Sequence, residues 1–494
     1  MRLQKTIWAL AFALAVCGTA VHAQDQNQGT QQTNPATPIQ PINSGLGPGY
    51  GGKPVAAARG VSAAYDPQPG DPADVVPDTN TLAGAELFSV GSLGRAHDVF
   101  DPSLSVSTLG QTVPQYGAGA PATGGPMSLA STSVVNGSLD FDRTWSQYHL
   151  TTFFNGGDTF SSDPIIPHGP FGNVIVTQQI EWARWHLLLR DDFSAAPGAM
   201  FTNTGMGGPG LISQMSTMLS ASLTGVGEAF IPNETIETGN VLRYRNAALG
   251  QAEYSLSRRS ALTFSGSYGI LHFNDAGYIS SRMVNAQAGY DYQLDPSNSI
   301  AILGGYGKID YTGTVSSTWD YMAALAYGRK VTGRLAFQVA AGPQQIHSME
   351  GTGGFQLWLA TANAALTYER RRSGYSLSFM RGLNAGAGVF LGAKSDTVTG
   401  TAHYQFTRFW TGTVHGGYAL NDSLEPAGTS SAQFDNWFVG GNLGRRMGPH
   451  AEFNFNYGVQ RQNNPAACPV ANCGINGYQQ SFGLTVNWHL RPAG

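Results

Sequence analysis

The sequence predicts an all-β chain: a transmembrane, antiparallel, up-and-down β-barrel of about 16 strands, preceded by a disordered leader. Three observations predict it. Side chains alternate between apolar and polar along stretches of about 10–15 residues, far longer than the five or six of an average globular strand. Aromatic residues sit near the ends of these stretches. The connections alternate between short and long.

Composition sets the frame. The 494 residues carry a net charge of −4, which gives no pull toward nucleic acid. Charged residues are 12% of the chain, about half the usual share, while its 64 glycines are nearly twice the usual share. Hydrophobic residues are 41%, and only the N-terminus has a long apolar run, so helices do not span a membrane here.

That N-terminal run reads as an address. Arg2 and Lys5 precede the apolar stretch Ile7 to Val16, and Val21-His22-Ala23 is a small-residue cleavage pattern. Residues 1–23 are therefore a secretory signal peptide, with Gln24 opening the mature chain. Lipidation at Cys17 is the rival reading, but β-branched Val16 stands where such signals need a small residue. Residues 24–80 form a Gln-, Pro- and Gly-rich periplasmic linker, too poor in apolar side chains to offset chain entropy. Within it, Gly47 to Gly52 matches a dinucleotide-binding pattern, but follows no strand and opens no helix. A short segment, 81–96, leads into the barrel, which occupies 97–494.

The alternation is clearest in the last segment. Phe482, Leu484, Val486, Trp488 and Leu490 share one face, while Ser481, Gly483, Thr485, Asn487 and His489 share the other. Aromatics near strand ends include Tyr254, Trp319, Tyr327, Tyr368, Trp410, Tyr418, Trp437 and Trp488. Short connections near 258–259, 295–298, 332–333, 371–374, 408 and 447–448 alternate with longer ones near 274–280, 312–317, 345–354, 383–395, 421–433 and 462–477. In this phase the C-terminus lies on the short-turn side. About 16 segments read as strands, an even number as single-chain barrels require; those near 133–155 and 171–193 each read as one strand. Leaving out the first two of the 16 gives about 14.

Parity places polar residues inward. Among them are Gln251, Glu253, Asp291, Asp320, Glu369, His403, His415, Glu452 and Asn454. Arg243 and Arg245 share one face after the long connection 194–240; they read either as an anion-favouring eyelet or as interfacial anchors. That connection reads either as a constriction folded into the lumen or as a surface loop. With the turn centred near Phe409, His403 and His415 sit opposite each other, as a metal- or proton-sharing pair or simply as polar lumen residues. Two ligands without a third make a poor metal site, so neither metal nor cofactor is expected. Cys468 and Cys473, exported and closely spaced, read as a disulfide closing a small loop. No nucleophile elbow and no zinc-protease motif is present, so catalysis is not expected.

The segment Tyr254-Ser-Leu-Ser-Arg-Arg-Ser-Ala-Leu-Thr-Phe-Ser-Gly-Ser-Tyr-Gly269, with the export signal and the aromatic-ended last strand, resembles hairpins of bacterial outer-membrane β-barrel proteins of the porin type, a group of large, mostly uncharacterised barrels. The likeness covers about residues 97–490. It implies an outer-membrane location and a channel passing small polar solutes. Its partners are then outer-membrane lipid, those solutes, further copies of the chain, and a periplasmic protein engaging the leader. The alternatives are a polysaccharide-export or scaffold barrel and, further off, an outer-membrane enzyme.

Overall fold

The computed structural model describes residues 81–84, 99–114, 127–162, 168–197, 241–275, 277–312, 316–350, 353–370, 372–424, 432–463 and 477–490. The signal peptide, the leader 24–80 and the cysteine pair lie outside these residues.

Eighteen strands follow one another. They are β1 (Val99–Pro114), β2 (Met127–Trp145), β3 (Tyr148–Ser161), β4 (Gly169–Glu181), β5 (Trp185–Pro197) and β6 (Leu242–Ser255). Then come β7 (Ser260–Phe273), β8 (Ser281–Asp295), β9 (Asn298–Tyr311), β10 (Ser316–Thr332), β11 (Leu335–Glu350) and β12 (Gly353–Arg370). The last six are β13 (Ser373–Asn384), β14 (Ala393–Gln405), β15 (Trp410–Ser423), β16 (Gln433–Arg446), β17 (Ala451–Asn463) and β18 (Gly477–His489). Each strand pairs antiparallel with its sequence neighbours, and β1 closes the ring on β18, from Ser103 opposite His489 to Gln111 opposite Ser481. No strand is left with an unpaired edge, which is how a barrel removes the sheet's exposed hydrogen-bonding groups.

The count of 18 corrects the expected 16, or 14. The stretches 133–155 and 171–193, read as single strands, each contain a hairpin. The first turns at Ser146-Gln147, with Ser146 at φ 52°, and the second at 182–184. Neither turn contains Gly, Pro, Asn or Asp, and the one weak turn former, Ser146, does not stand out from the many serines of the strands. A second correction concerns 345–354. Strands β11 and β12 run on to Glu350 and Gly353, leaving a two-residue link where a longer loop was expected.

The exposed face is apolar and the buried face polar. Leu325, Ile302, Val414, Val439, Phe455, Leu484 and Trp488 project outward. Thr318, Asn421, Asn456, Thr485 and Asn487 are buried inward. Outward aromatics form a belt at the short-turn end. Trp185 stacks with Tyr254 at 4.8 Å, and Tyr368 lies 5.9 Å from Tyr375. Turn arginines extend over that belt: Arg408 over Phe409 at 4.6 Å and Arg445 over Trp410 at 5.2 Å. Such cation–π contacts are worth about 0.5–1 kcal/mol at exposed sites. A second outward belt includes Trp319, Tyr418, Trp437 and Tyr478, with Trp437 and Tyr478 6.0 Å apart. Trp410 and Tyr418 share strand β15; eight residues of tilted strand span about 20 Å, close to the height of a barrel's apolar band.

Candidate functional site

The interior is the candidate site. Its wall is a lattice of neutral hydrogen-bonding groups. Asn136 Nδ2 donates to Asn155 Oδ1 at 3.2 Å, Asn442 Nδ2 to Asn456 Oδ1 at 2.6 Å, and Asn436 Nδ2 to Gln462 Oε1 at 3.2 Å. Ser107 and Thr485 hydroxyls meet at 2.9 Å across the closing seam.

Charged side chains interrupt this wall, and two clusters of them stand out. On β5 and β6, Asp192 Oδ1 lies 3.3 Å from Arg245 Nη2, and Asp192 Oδ2 lies 3.5 Å from Arg190 Nη2. The Arg243 guanidinium lies 5.8 Å from the Phe273 ring centre. Arg243 and Arg245 both point inward and are buried, so they occupy the interior face and not the lipid boundary. Nearer the short turns, β1, β2, β3 and β18 bring Asp101, Asp140, Asp142, His149 and His489 inward. His149 Nε2 lies 2.8 Å from Asp142 Oδ1, and His489 Nδ1 lies 3.0 Å from Asp101 Oδ2.

The other candidates are placed as follows. Gln251 and Glu253 are buried inward on β6, with His186 Nδ1 4.0 Å from Glu253 Oε2. Asp320 accepts a 2.8 Å hydrogen bond from Gln344 Nε2. Glu369 lies exposed near the end of β12, while Glu452 and Asn454 flank Gly444 from β17. His403 and His415 both point inward but are not opposite each other. His403 pairs with Thr413 and His415 with Thr401, because the turn centres at Arg408, one residue earlier than expected. His403 lies over Gly374 of β13, and His415 over Gly440 of β16. The two rings therefore lean onto different neighbours and form no shared metal or proton site.

Two features of the interior were not read from the sequence. The first is the β13–β14 connection, which folds inward at the long-loop end. Gly388 O accepts from Ile279 N at 2.9 Å, in the connection between β7 and β8. Val389 and Phe390 pack with Phe434 of β16, and Ala385 packs with Met283, Ile309 and Tyr311 of β8 and β9. One short loop thus touches walls many strands apart. Its apolar run Val389-Phe390-Leu391, out of place in a solvated loop, was the available signal. The connection 194–240, read either as a constriction or as a surface loop, starts later than expected, since β5 runs to Pro197; its remainder lies outside the described residues.

The second feature is Thr81–Gly84, expected only to lead into the barrel. It is a turn buried inside it, with Gly84 N donating to Thr81 O at 3.1 Å. Asp291 Oδ1 accepts from Ala83 N at 3.1 Å, and Gln287 Nε2 donates to Ala83 O at 2.8 Å.

No family model matches the chain, and no curated protein matches it. Its fold is similar to three solved structures. These are Pseudomonas aeruginosa OpdQ (11% identity, TM-score 0.37), P. aeruginosa OccK2 in complex with glucuronate (11%, 0.38) and a BenF-like porin from Pseudomonas fluorescens Pf-5 (9%, 0.38). In each case the match covers 79% of this chain and 98% of the other. These likenesses concern the fold alone.

Proposed function

We propose that this protein is an outer-membrane channel through which small polar solutes pass by way of the barrel interior. The observation that carries the reading is the closed ring of 18 strands, apolar outside and hydrogen-bonding inside. Eight strands are filled by their own side chains, whereas 16–18 leave an aqueous channel. An outward apolar band about 20 Å tall lies between two aromatic belts, close to the height of an outer-membrane barrel's band, and the export signal at 1–23 supplies the route to the outer membrane.

Small solutes fit this interior better than an exported polymer does. The β13–β14 loop narrows one end, and Thr81–Gly84 occupies space along the wall. Charged side chains of both signs line the wall, among them the Arg190–Asp192–Arg245 group, Glu253, Asp291, Asp320, Lys330 and the Asp101–Asp142 end, so selectivity is set by position along the pore.

The test is single-channel recording of the purified mature protein in a planar bilayer. Stepwise open currents are expected, and their reversal potential in a salt gradient gives the selectivity sign. A pure, folded barrel that passes no current at any voltage would overturn the reading.

A further inference from the structure

The segment before the barrel is held inside it by a built seat. The polar part of the seat comes from β7 and β8. Asp291 Oδ1 takes the Ala83 amide, Gln287 Nε2 holds the Ala83 carbonyl, and the Thr263 hydroxyl lies 2.9 Å from Thr81 Oγ1 and 3.1 Å from Asp291 Oδ2.

The apolar part is independent of these bonds. Inward positions around the barrel are mostly polar, yet β9, β10 and β11 carry, beside polar residues such as Asp320 and Gln338, an inward cluster of Ala301, Leu303, Ala324, Ala326, Ala336 and Ala340. The registers place these side by side: Ala324 opposite Leu303, and Ala326 opposite both Ala301 and Ala340. This patch packs against Leu82 and Ala83, which are 3% and 1% exposed. Gly289 completes the fit: a Cβ there would meet Ala83 Cβ at 2.2 Å. Small apolar side chains facing a watery lumen would be a cost without a purpose; facing Leu82 they are a binding surface.

We propose that Thr81–Gly84 is a strap, latched to this seat, that narrows the channel and regulates its conductance. This rests on the channel reading above. The strap's partner is the wall of its own barrel, and release of the strap opens the wider pore. The polar, glycine-rich leader upstream gives a periplasmic factor a handle by which to pull it.

The experiment has two readouts, so that the strap and the channel can fail separately. In the mature chain from Gln24, with Cys468→Ser and Cys473→Ser, Leu82→Cys is the sole cysteine and reports docking through its rate of labelling by a maleimide. Labelling about tenfold slower in the folded barrel than in urea is expected, with Asp291→Ala removing most of that protection. Separately, a mature chain lacking residues 24–84 is compared with the full mature chain in planar bilayers, where unit conductance about twofold higher is expected. Labelling as fast in the folded barrel as in urea overturns the strap. So do equal conductances, while leaving the channel standing. Absence of current from both chains overturns the channel, and the strap's regulatory role with it, even if Leu82→Cys is protected.

Discussion

Strands β9–β11 and strands β14–β18 follow the same rule on their outer faces and differ over part of their inner faces. Outside, both carry Ile, Leu, Val and aromatics: Ile302 and Leu325 on one stretch, Val414 and Phe455 on the other. Inside, β14–β18 carry Thr397, His415, Asn421, Asn454 and Thr485, whereas β9–β11 add to Asp320, Gln338 and Gln344 a patch of alanines and a leucine. The difference teaches what parity measures. An outward apolar residue reports lipid contact, a requirement fixed by the bilayer. An inward residue reports whatever lies over it, which on β9–β11 includes the chain's own Leu82 and on β16 includes Val389 and Phe390.

The largest expected effect breaks the outer rule. Val414 lies midway between Trp410 and Tyr418, points outward and is 57% exposed. Val414→Arg places a charge near the bilayer midplane and costs about 2–4 kcal/mol. Its neighbour Thr413 points inward, and Thr413→Arg costs less than about 1 kcal/mol while shifting ion selectivity. Urea unfolding in lipid vesicles measures both. Equal losses at 413 and 414 would break the assignment of faces.

A smaller effect sharpens the contrast between the inner faces. Gly289→Val puts two methyl groups where Ala83 sits, and overpacking of this kind costs about 1–3 kcal/mol. The barrel can shed that cost by releasing the strap. The expected result is faster maleimide labelling of Leu82→Cys with an unchanged unfolding midpoint of the barrel. A lowered midpoint with labelling still slow would mean that Thr81–Gly84 is an integral part of the barrel core.

Much of the fold was legible because the signal repeats. Alternation along Tyr478 to Leu490 assigns Phe482, Leu484, Val486 and Trp488 outward, and the structure exposes all four. What stayed hidden is set by single residues or by distant partners. The turns at Ser146-Gln147 and 182–184 merge with their strands because they hold no Gly, Pro, Asn or Asp, and a single Ser146 is too weak a signal alone. A one-residue error in the centre of the turn after Gln405 moved His403 from His415 to Thr413. The strap could not be read locally at all, since its amide acceptor, Asp291, is 208 residues away. The inward alanines of β9–β11 were its trace in the sequence, as breaks in the polar parity.

The smallest expected effect tests how β13–β16 fill their inner face without a strap. Here barrel side chains cover barrel glycines. A Cβ at Gly374 would meet the His403 ring at 2.1 Å, and one at Gly440 would meet the His415 ring at 2.6 Å. Glycine within a strand ordinarily costs about 0.5–1 kcal/mol relative to alanine, so Gly374→Ala would stabilise if the space were open. With the ring in place it must push His403 off the wall, and a net loss of about 1 kcal/mol is expected. In a His403→Ala background the obstruction is gone, and the same Gly374→Ala change becomes stabilising by about 0.5–1 kcal/mol. Unfolding midpoints of the four proteins in this cycle measure the reversal of sign. If Gly374→Ala has the same sign in both backgrounds, the ring does not rest on the glycine, and this wall needs another account of how it covers itself.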